Sequence, residues 1–157
     1  MTERPELNED FIDLLRALLA AHVEFLIVGA HALAAHGIPR ATGDLDVLVQ
    51  PSTENAERVL DALREFGAPL AAHGVTRAVF EAPDNVYQIG LPPRRIDLLT
   101  SITGLSFDEA RASRIFVSVE GMTVPMLGRD ALLKNKRATG RPKDVVDADA
   151  LEKSTKP

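Results

Sequence analysis

The sequence predicts an α/β (α+β) protein, a mixed β-sheet flanked by helices. Segments with apolar residues at three-to-four spacing alternate loosely with short continuous apolar runs, and the strand-like runs cluster in the second half. Glycine, proline and Asn/Asp turns separate the segments, as they do between short elements of one sheet. A chain of 157 residues amounts to about one domain. The expectation is a single unit over residues 1–152, with 153–157 a frayed tail.

Asn8 can cap a helix whose first turn holds Glu9 and Asp10. Leu7, Phe11, Leu14, Leu15, Leu18 and Leu19 share its apolar face up to about Ala21. Phe25 to Val28, closed by Gly29, reads as a buried strand entering a tight turn, and a helix over Ala30 to His36 follows. Gly37, Pro39 and Gly43 mark a loop. Leu45 to Val49 then reads as a strand stopped by Pro51. Ser52 caps the next helix, which Gly67 ends. Val75 to Phe80, Val86 to Leu91 and Arg94 to Leu99 all resemble strands, the first two around a Pro83-Asp84-Asn85 turn. Ser106 with Glu109 forms a capping-box pattern, and Glu120-Gly121 joins a hairpin of Ile115 to Val119 and Met122 to Met126. Two helices, Arg129 to Lys136 and Lys143 to Glu152, close the chain around Gly140, Arg141 and Pro142.

Composition narrows the chemistry. Apolar residues at 45%, charged residues at 26% and a net charge of −5 describe an ordinary globular chain, not a disordered acidic tail or a generally basic nucleic-acid coat. With no cysteine, thiol nucleophiles, disulfides and thiolate metal sites are excluded. Six Phe, one Tyr and no Trp argue against a stacking platform for single strands, though phosphate contacts stay open. The apolar stretch Phe25 to Ala35 is far short of the roughly 20 residues of a membrane helix, and the acidic N-terminus has no signal-peptide pattern. The expectation is a cytoplasmic protein with no membrane contact.

The informative stretch is V-G-A-H-A-L-A-A-H-G-I-P-R-A-T-G-D-L-D-V-L-V, ending at Val49. On a strand, Asp44 and Asp46 project to one side and Leu45 and Val47 to the other. Two carboxylates side by side repel and raise each other's pKa unless a divalent cation or a cluster of donors compensates. Hard oxygen donors point to Mg2+ or Mn2+. Asp97 interrupts the apolar run Ile96 to Leu99, where an unpaired carboxylate is costly to bury. If its strand neighbours that of Asp46, three carboxylates converge and can hold two ions about 4 Å apart beside a triphosphate. An Asp-x-Asp pair near a loop end also serves as a solvated turn or cap, with Asp97 hydrogen-bonded in the sheet. The glycine turn, the helix and the buried-looking Asp97 favour the site.

Gly29-Ala30, thirteen residues, then Asp44-x-Asp46 resembles the signature of the DNA polymerase β-like nucleotidyltransferase superfamily. The longer run and the tail L-L-K-N-K-R-A-T-G-R-P-K-D-V-V-D-A-D-A-L resemble its minimal AbiEii/AbiGii toxin-like branch of type IV toxin-antitoxin systems. The resemblance spans most of the chain and implies a nucleotidyltransferase fold that moves a nucleoside monophosphate from an NTP to a hydroxyl. The acceptor it implies is RNA, such as tRNA, or a protein, with a cognate antitoxin or regulatory protein as a partner. It maps metal binding and catalysis onto Asp44, Asp46 and Asp97, and triphosphate binding onto Gly29 and Ala30. Beside that turn, His31 is a candidate for packing or phosphate contact and Thr42 a further nucleotide-binding candidate. Position 30 is Ala where the superfamily usually has Gly or Ser, so a hydroxyl contact is lost, while backbone N–H groups at a helix start remain able to hold an anion. The same departure suits the alternative reading, a nucleotide- or partner-binding module without transfer.

Basic residues complete the set. Arg40 rims the loop before Asp44, where a guanidinium can grip a phosphate bidentately. Lys134, Lys136, Arg137, Arg141 and Lys143 put five cations into ten residues. Lys134 and Lys136 are candidates for nucleotide phosphates, Arg141 and Lys143 for the acceptor's backbone. The run reads equally as a solvated helix face, and Asp144 and Asp147 are expected to pair with these cations or with the preceding loop rather than with metal. His31 and His36 are five residues apart, not the four that place two zinc ligands on one helix face, and no third ligand accompanies them.

Overall fold

The computed structural model describes residues 8–38 and 43–154. Helix α1 (Glu9–Ala20) starts where the Asn8 side chain accepts the Phe11 amide at 3.0 Å, and buries Phe11, Leu14, Leu15 and Leu18. Strand β1 (Phe25–Val28) is buried along its whole length and runs into α2 (Gly29–Ala35), which His36 caps. The His36 ring donates its Nε2–H to the Leu127 carbonyl at 2.8 Å, tying the end of α2 to the chain beyond the last strand. Strand β2 (Leu45–Val49) is buried except at Asp46. Ser52 caps α3 (Thr53–Phe66), and Gly67 ends it in a left-handed conformation at φ +94°.

Val75 to Phe80 is expected as a strand, but from Arg77 on the chain instead forms the short helix α4 (Arg77–Glu81). Arg77 pairs with Glu81 one turn on at 2.9 Å and with Glu57 of α3 at 2.7 Å, while Phe80 is fully buried. Docking on α3 and this i,i+4 pair outweigh the β preference of Val75, Val79 and Phe80. Strands β3 (Val86–Ile89) and β4 (Ile96–Leu99) are shorter than the sequence suggested; Gly90 at φ +84° closes β3. The capping box of Ser106 and Glu109 opens α5 (Phe107–Ser113). The hairpin of β5 (Ile115–Val119) and β6 (Met122–Met126) turns at Glu120 and Gly121, both with positive φ. Helices α6 (Arg129–Thr139) and α7 (Pro142–Lys153) finish the described chain, longer at their facing ends than expected.

The six strands form one mixed sheet in the order β3-β4-β2-β1-β6-β5. Neighbours pair antiparallel at β3-β4, β2-β1 and β6-β5, and parallel at β4-β2 and β1-β6. Leu26, Ile27, Leu45, Leu48, Ile96 and Leu98 of the central strands are fully buried, so a polar residue among them requires a partner. Among the described residues no helix is long and apolar enough to cross a membrane.

Buried Asn55 fastens the far end of the β1-β2 pair. Its Oδ1 accepts from the Glu24 amide at 2.8 Å, and its Nδ2 donates to the carbonyls of Glu24 and Gln50, both at 3.0 Å. Nothing in the sequence pattern marks this residue, since it sits on a helix among ordinary polar positions. It holds both strands at the end opposite the carboxylates.

Candidate active site

The site begins where β1 becomes α2. Val28 is extended and Gly29 adopts φ +73°, a conformation that glycine enters without a Cβ clash. Val28 pairs with Asp46 across the antiparallel β1-β2 ladder, so the turn lies directly against that carboxylate. A Cβ on residue 29 would stand 2.2 Å from Asp46 Oδ2. Glycine is needed here for conformation and for space.

Strands β2 and β4 run parallel, with Asp46 beside Asp97 in register. Asp44, two residues earlier on the same side, hydrogen-bonds through Oδ1 to the Arg95 amide at 3.1 Å. Strand register thus sets Asp46 beside Asp97, while Asp44, just before β2, is held alongside through Arg95. The Asp46 carboxyl is pushed up to about 7, first by burial, then by the charge of Asp97, a hydrogen bond shared with it, and the charge of Asp44; Arg95 opposes the shift.

Arg95 is the residue that the sequence reading missed. Its Nε and Nη2 donate to the two oxygens of Asp97 at 2.8 and 3.1 Å, and Nη2 also stands 3.2 Å from Asp44 Oδ2. The signal was present: on an extended chain, residues 95 and 97 share a face. One guanidinium against three carboxylates leaves an excess of negative charge built from hard oxygen donors, which fits Mg2+ or Mn2+. Among the described residues no group of three His, Cys, Asp or Glu side chains stands as an open metal cage. Asp44 and Asp97 are both turned onto Arg95.

The remaining candidates are distributed as follows. Gly29, Ala30 and His31 form the first turn of α2. The His31 ring packs edge-on against Phe11 with centroids 5.8 Å apart, burial holds its pKa down, and its Nε2 has no hydrogen-bond partner among the described residues. Arg40 and Thr42 lie outside the described residues. Lys134 pairs with Glu109 at 3.2 Å on the surface. Lys136, only 12% exposed, lies between Asp144 at 3.1 Å and Asp147 at 3.4 Å. Arg141 bonds to Asp144 at 2.7 Å, and Lys143 is exposed. The expected pairing of Asp144 and Asp147 with the basic run is thus what the structure shows, and it commits Lys136 more deeply than Lys134, since a buried pair is costlier to part than a surface one. Among the described residues no ion pair links these cations to the carboxylate trio. A surface cleft of about 530 Å3, lined by His36, Ser113, Ile115 and Arg129 among others, and one of about 340 Å3 lined by Glu57, Asp61, Arg64 and Arg77, include none of the three carboxylates.

No family model and no curated protein matches the chain by sequence. Solved structures do resemble it. A candidate nucleotidyltransferase from Thermotoga maritima superposes with a TM-score of 0.56 at 17% identity, covering 94% of this chain and 94% of its own. The antibiotic-resistance factor ANT(2'')-Ia gives 0.57 at 16% identity over 92% of this chain and 84% of its own. The lincosamide antibiotic adenylyltransferase LnuA gives 0.54 at 11% identity over 96% and 99%. At these identities the likeness shows the fold: the mixed sheet and its helices are arranged as in nucleotidyltransferases.

Proposed function

We propose that the chain is a metal-dependent nucleotidyltransferase that moves a nucleoside monophosphate from an NTP to a hydroxyl. The observation that carries this is Asp46 beside Asp97 on adjacent parallel strands, with Asp46 against the Gly29 turn and Asp44 held alongside by Arg95, in a nucleotidyltransferase fold. The three carboxylates would hold Mg2+ or Mn2+, which when bound neutralises a triphosphate and acidifies a hydroxyl. The acceptor oxygen bonds to the α-phosphorus, the bond to pyrophosphate breaks, and Asp97 takes the hydroxyl proton. Backbone N–H groups at Gly29 and Ala30, with His31, Arg40 and Thr42, are assigned to the phosphates. Lys134 can exchange its exposed carboxylate partner for a phosphate at little cost. Arg141 and Lys143 are assigned to an anionic acceptor.

The resemblance to AbiEii/AbiGii-like proteins favours a hydroxyl of RNA, such as a tRNA end, or of a protein. It also favours a cytoplasmic toxin-antitoxin component with a cognate partner. The similar folds add small antibiotics as a comparison, because LnuA was solved with lincomycin and ANT(2'')-Ia with adenylyl-2''-tobramycin. The test is incubation with each NTP radiolabelled at its α-phosphate, Mg2+, and in separate reactions total RNA, lysate protein or an aminoglycoside. Label should pass to RNA or protein, and Asp44→Asn and Asp46→Asn should each abolish the transfer. Unchanged turnover in either variant removes the assignment. Nucleotide binding with no transfer to any acceptor establishes the binding-module reading instead, which the missing hydroxyl at Ala30 favours.

A further inference from the structure

Arg95 makes more polar contacts to the carboxylate cluster than any acid of the cluster makes to another. Its guanidinium takes both oxygens of Asp97 and one of Asp44, and its backbone N–H holds the other Asp44 oxygen. A guanidinium stays charged at every accessible pH, so this is a permanent cation on the same hard oxygens that a divalent ion needs. Each of those oxygens keeps a second lone pair, but a divalent ion placed on them meets the charge of the guanidinium at close range, so the two cations compete. The side chain is 28% exposed on a flexible stem, so the guanidinium can turn toward solvent while the Arg95 backbone keeps its bond to Asp44.

Resting on the nucleotidyltransferase reading, we infer that Arg95 is a built-in counterion that bridges Asp44 and Asp97 in the metal-free chain and must release them for a divalent cation to bind. The backbone of Arg95 positions Asp44 in both states, and its side chain sets how readily the site loads. Stability of the empty site is gained at the cost of metal affinity. Three carboxylates without this cation would repel one another in a partly buried setting.

The experiment is a Mn2+ titration followed by the electron paramagnetic resonance signal of free Mn2+, on the full chain and without nucleotide. The proteins are the unaltered chain, Arg95→Met and Arg95→Gln, each with and without Asp46→Asn. Removing the competing cation should tighten binding by about tenfold or more, the usual size of coupling between linked ligands. Asp46→Asn should abolish the binding in every background. With a chelator present, Arg95→Met should melt below the unaltered protein, and Mn2+ should raise its melting temperature by the larger increment. Arg95→Gln keeps a neutral donor for Asp97 and guards against loss of the fold in Arg95→Met. If both variants bind Mn2+ no more tightly while binding still depends on Asp46, the counterion role is overturned and the nucleotidyltransferase reading stands. If no protein shows Asp46-dependent binding, both fall together.

Discussion

Gly29 lies so close to Asp46 that a Cβ at residue 29 would meet the carboxylate oxygen at 2.2 Å and its Cγ at 3.0 Å. Gly29 also has φ +73°, so a side chain there is opposed by both conformation and space. Gly29→Ala must move Asp46, the β1-α2 turn, or both. The expected cost is about 1–3 kcal/mol of stability, which a melting curve reads as a fall of several degrees. Nucleotide transfer should fall much further, because a carboxylate displaced by about 1 Å no longer meets its partners. A Gly29→Ala protein with unchanged melting temperature and turnover would refute the tight packing of turn and acid.

Asp46→Asn should stabilise the metal-free protein at neutral pH while removing activity. The native carboxyl is held up to about 7 against an ordinary value of 3.8, so between these values the folded chain binds more protons than the unfolded one. Stability is therefore lost as pH rises across that window, and the full penalty applies above it. Asn carries no charge and escapes the penalty. With a chelator present, chemical denaturation should show the variant ahead by about 1 kcal/mol or more at pH above 7, the difference vanishing at the acid end of the window. Equal stability of the two proteins throughout would mean that Asp46 carries no electrostatic penalty.

Much of the fold is legible because its signals are local. Phe25 to Val28 and Leu45 to Val49 are apolar runs bounded by glycine and proline, and the structure places both strands on those residues. Asn8, Ser52 and Ser106 announce three helix starts by side-chain chemistry that acts within one turn. Val75 to Phe80 misleads because its helix is held by Glu57, from another element. The site divides in the same way. The Asp44-Asp46 pair and the buried Asp97 stand out, but the register that sets Asp46 beside Asp97 is a non-local parallel pairing that no pattern within either strand encodes. Arg95 escaped notice because an arginine at the start of a strand reads as solvated until its partners are known. Lys136 is the opposite case, since a basic run conceals which of its members lies between buried carboxylates.

Asn55→Ala tests whether the strand pair that carries Asp46 depends on its far end. Truncation removes all three hydrogen bonds to Glu24 and Gln50. The Glu24 carbonyl still accepts from the Gln50 amide at 3.1 Å, so the loss falls mainly on the Glu24 amide and the Gln50 carbonyl. A cost of about 2–4 kcal/mol follows from leaving two such groups poorly satisfied. Denaturant unfolding should show it as a lower midpoint with an unchanged slope. A cost below about 0.5 kcal/mol, the range of ordinary surface substitutions, would mean that the strand ends do not need this clamp.

The α6-α7 corner should lose stability in acid through Asp144. Burial alone would raise this carboxyl, but the Thr139 hydroxyl, the Lys136 ammonium and the Arg141 guanidinium outweigh it and hold it at about 2, below its ordinary value of 3.8. A depressed native value contributes stability that is complete above the unfolded value and disappears as pH falls through the native one. The contribution is on the order of 2 kcal/mol. Asp144→Asn removes it and leaves Lys136 with Asp147. Urea unfolding of both proteins should show the unaltered chain well ahead at pH above 4, with the gap narrowing steadily toward pH 2. A gap that stays constant over that range would show that Asp144 holds the helices by shape and neutral hydrogen bonding, with no contribution from its charge.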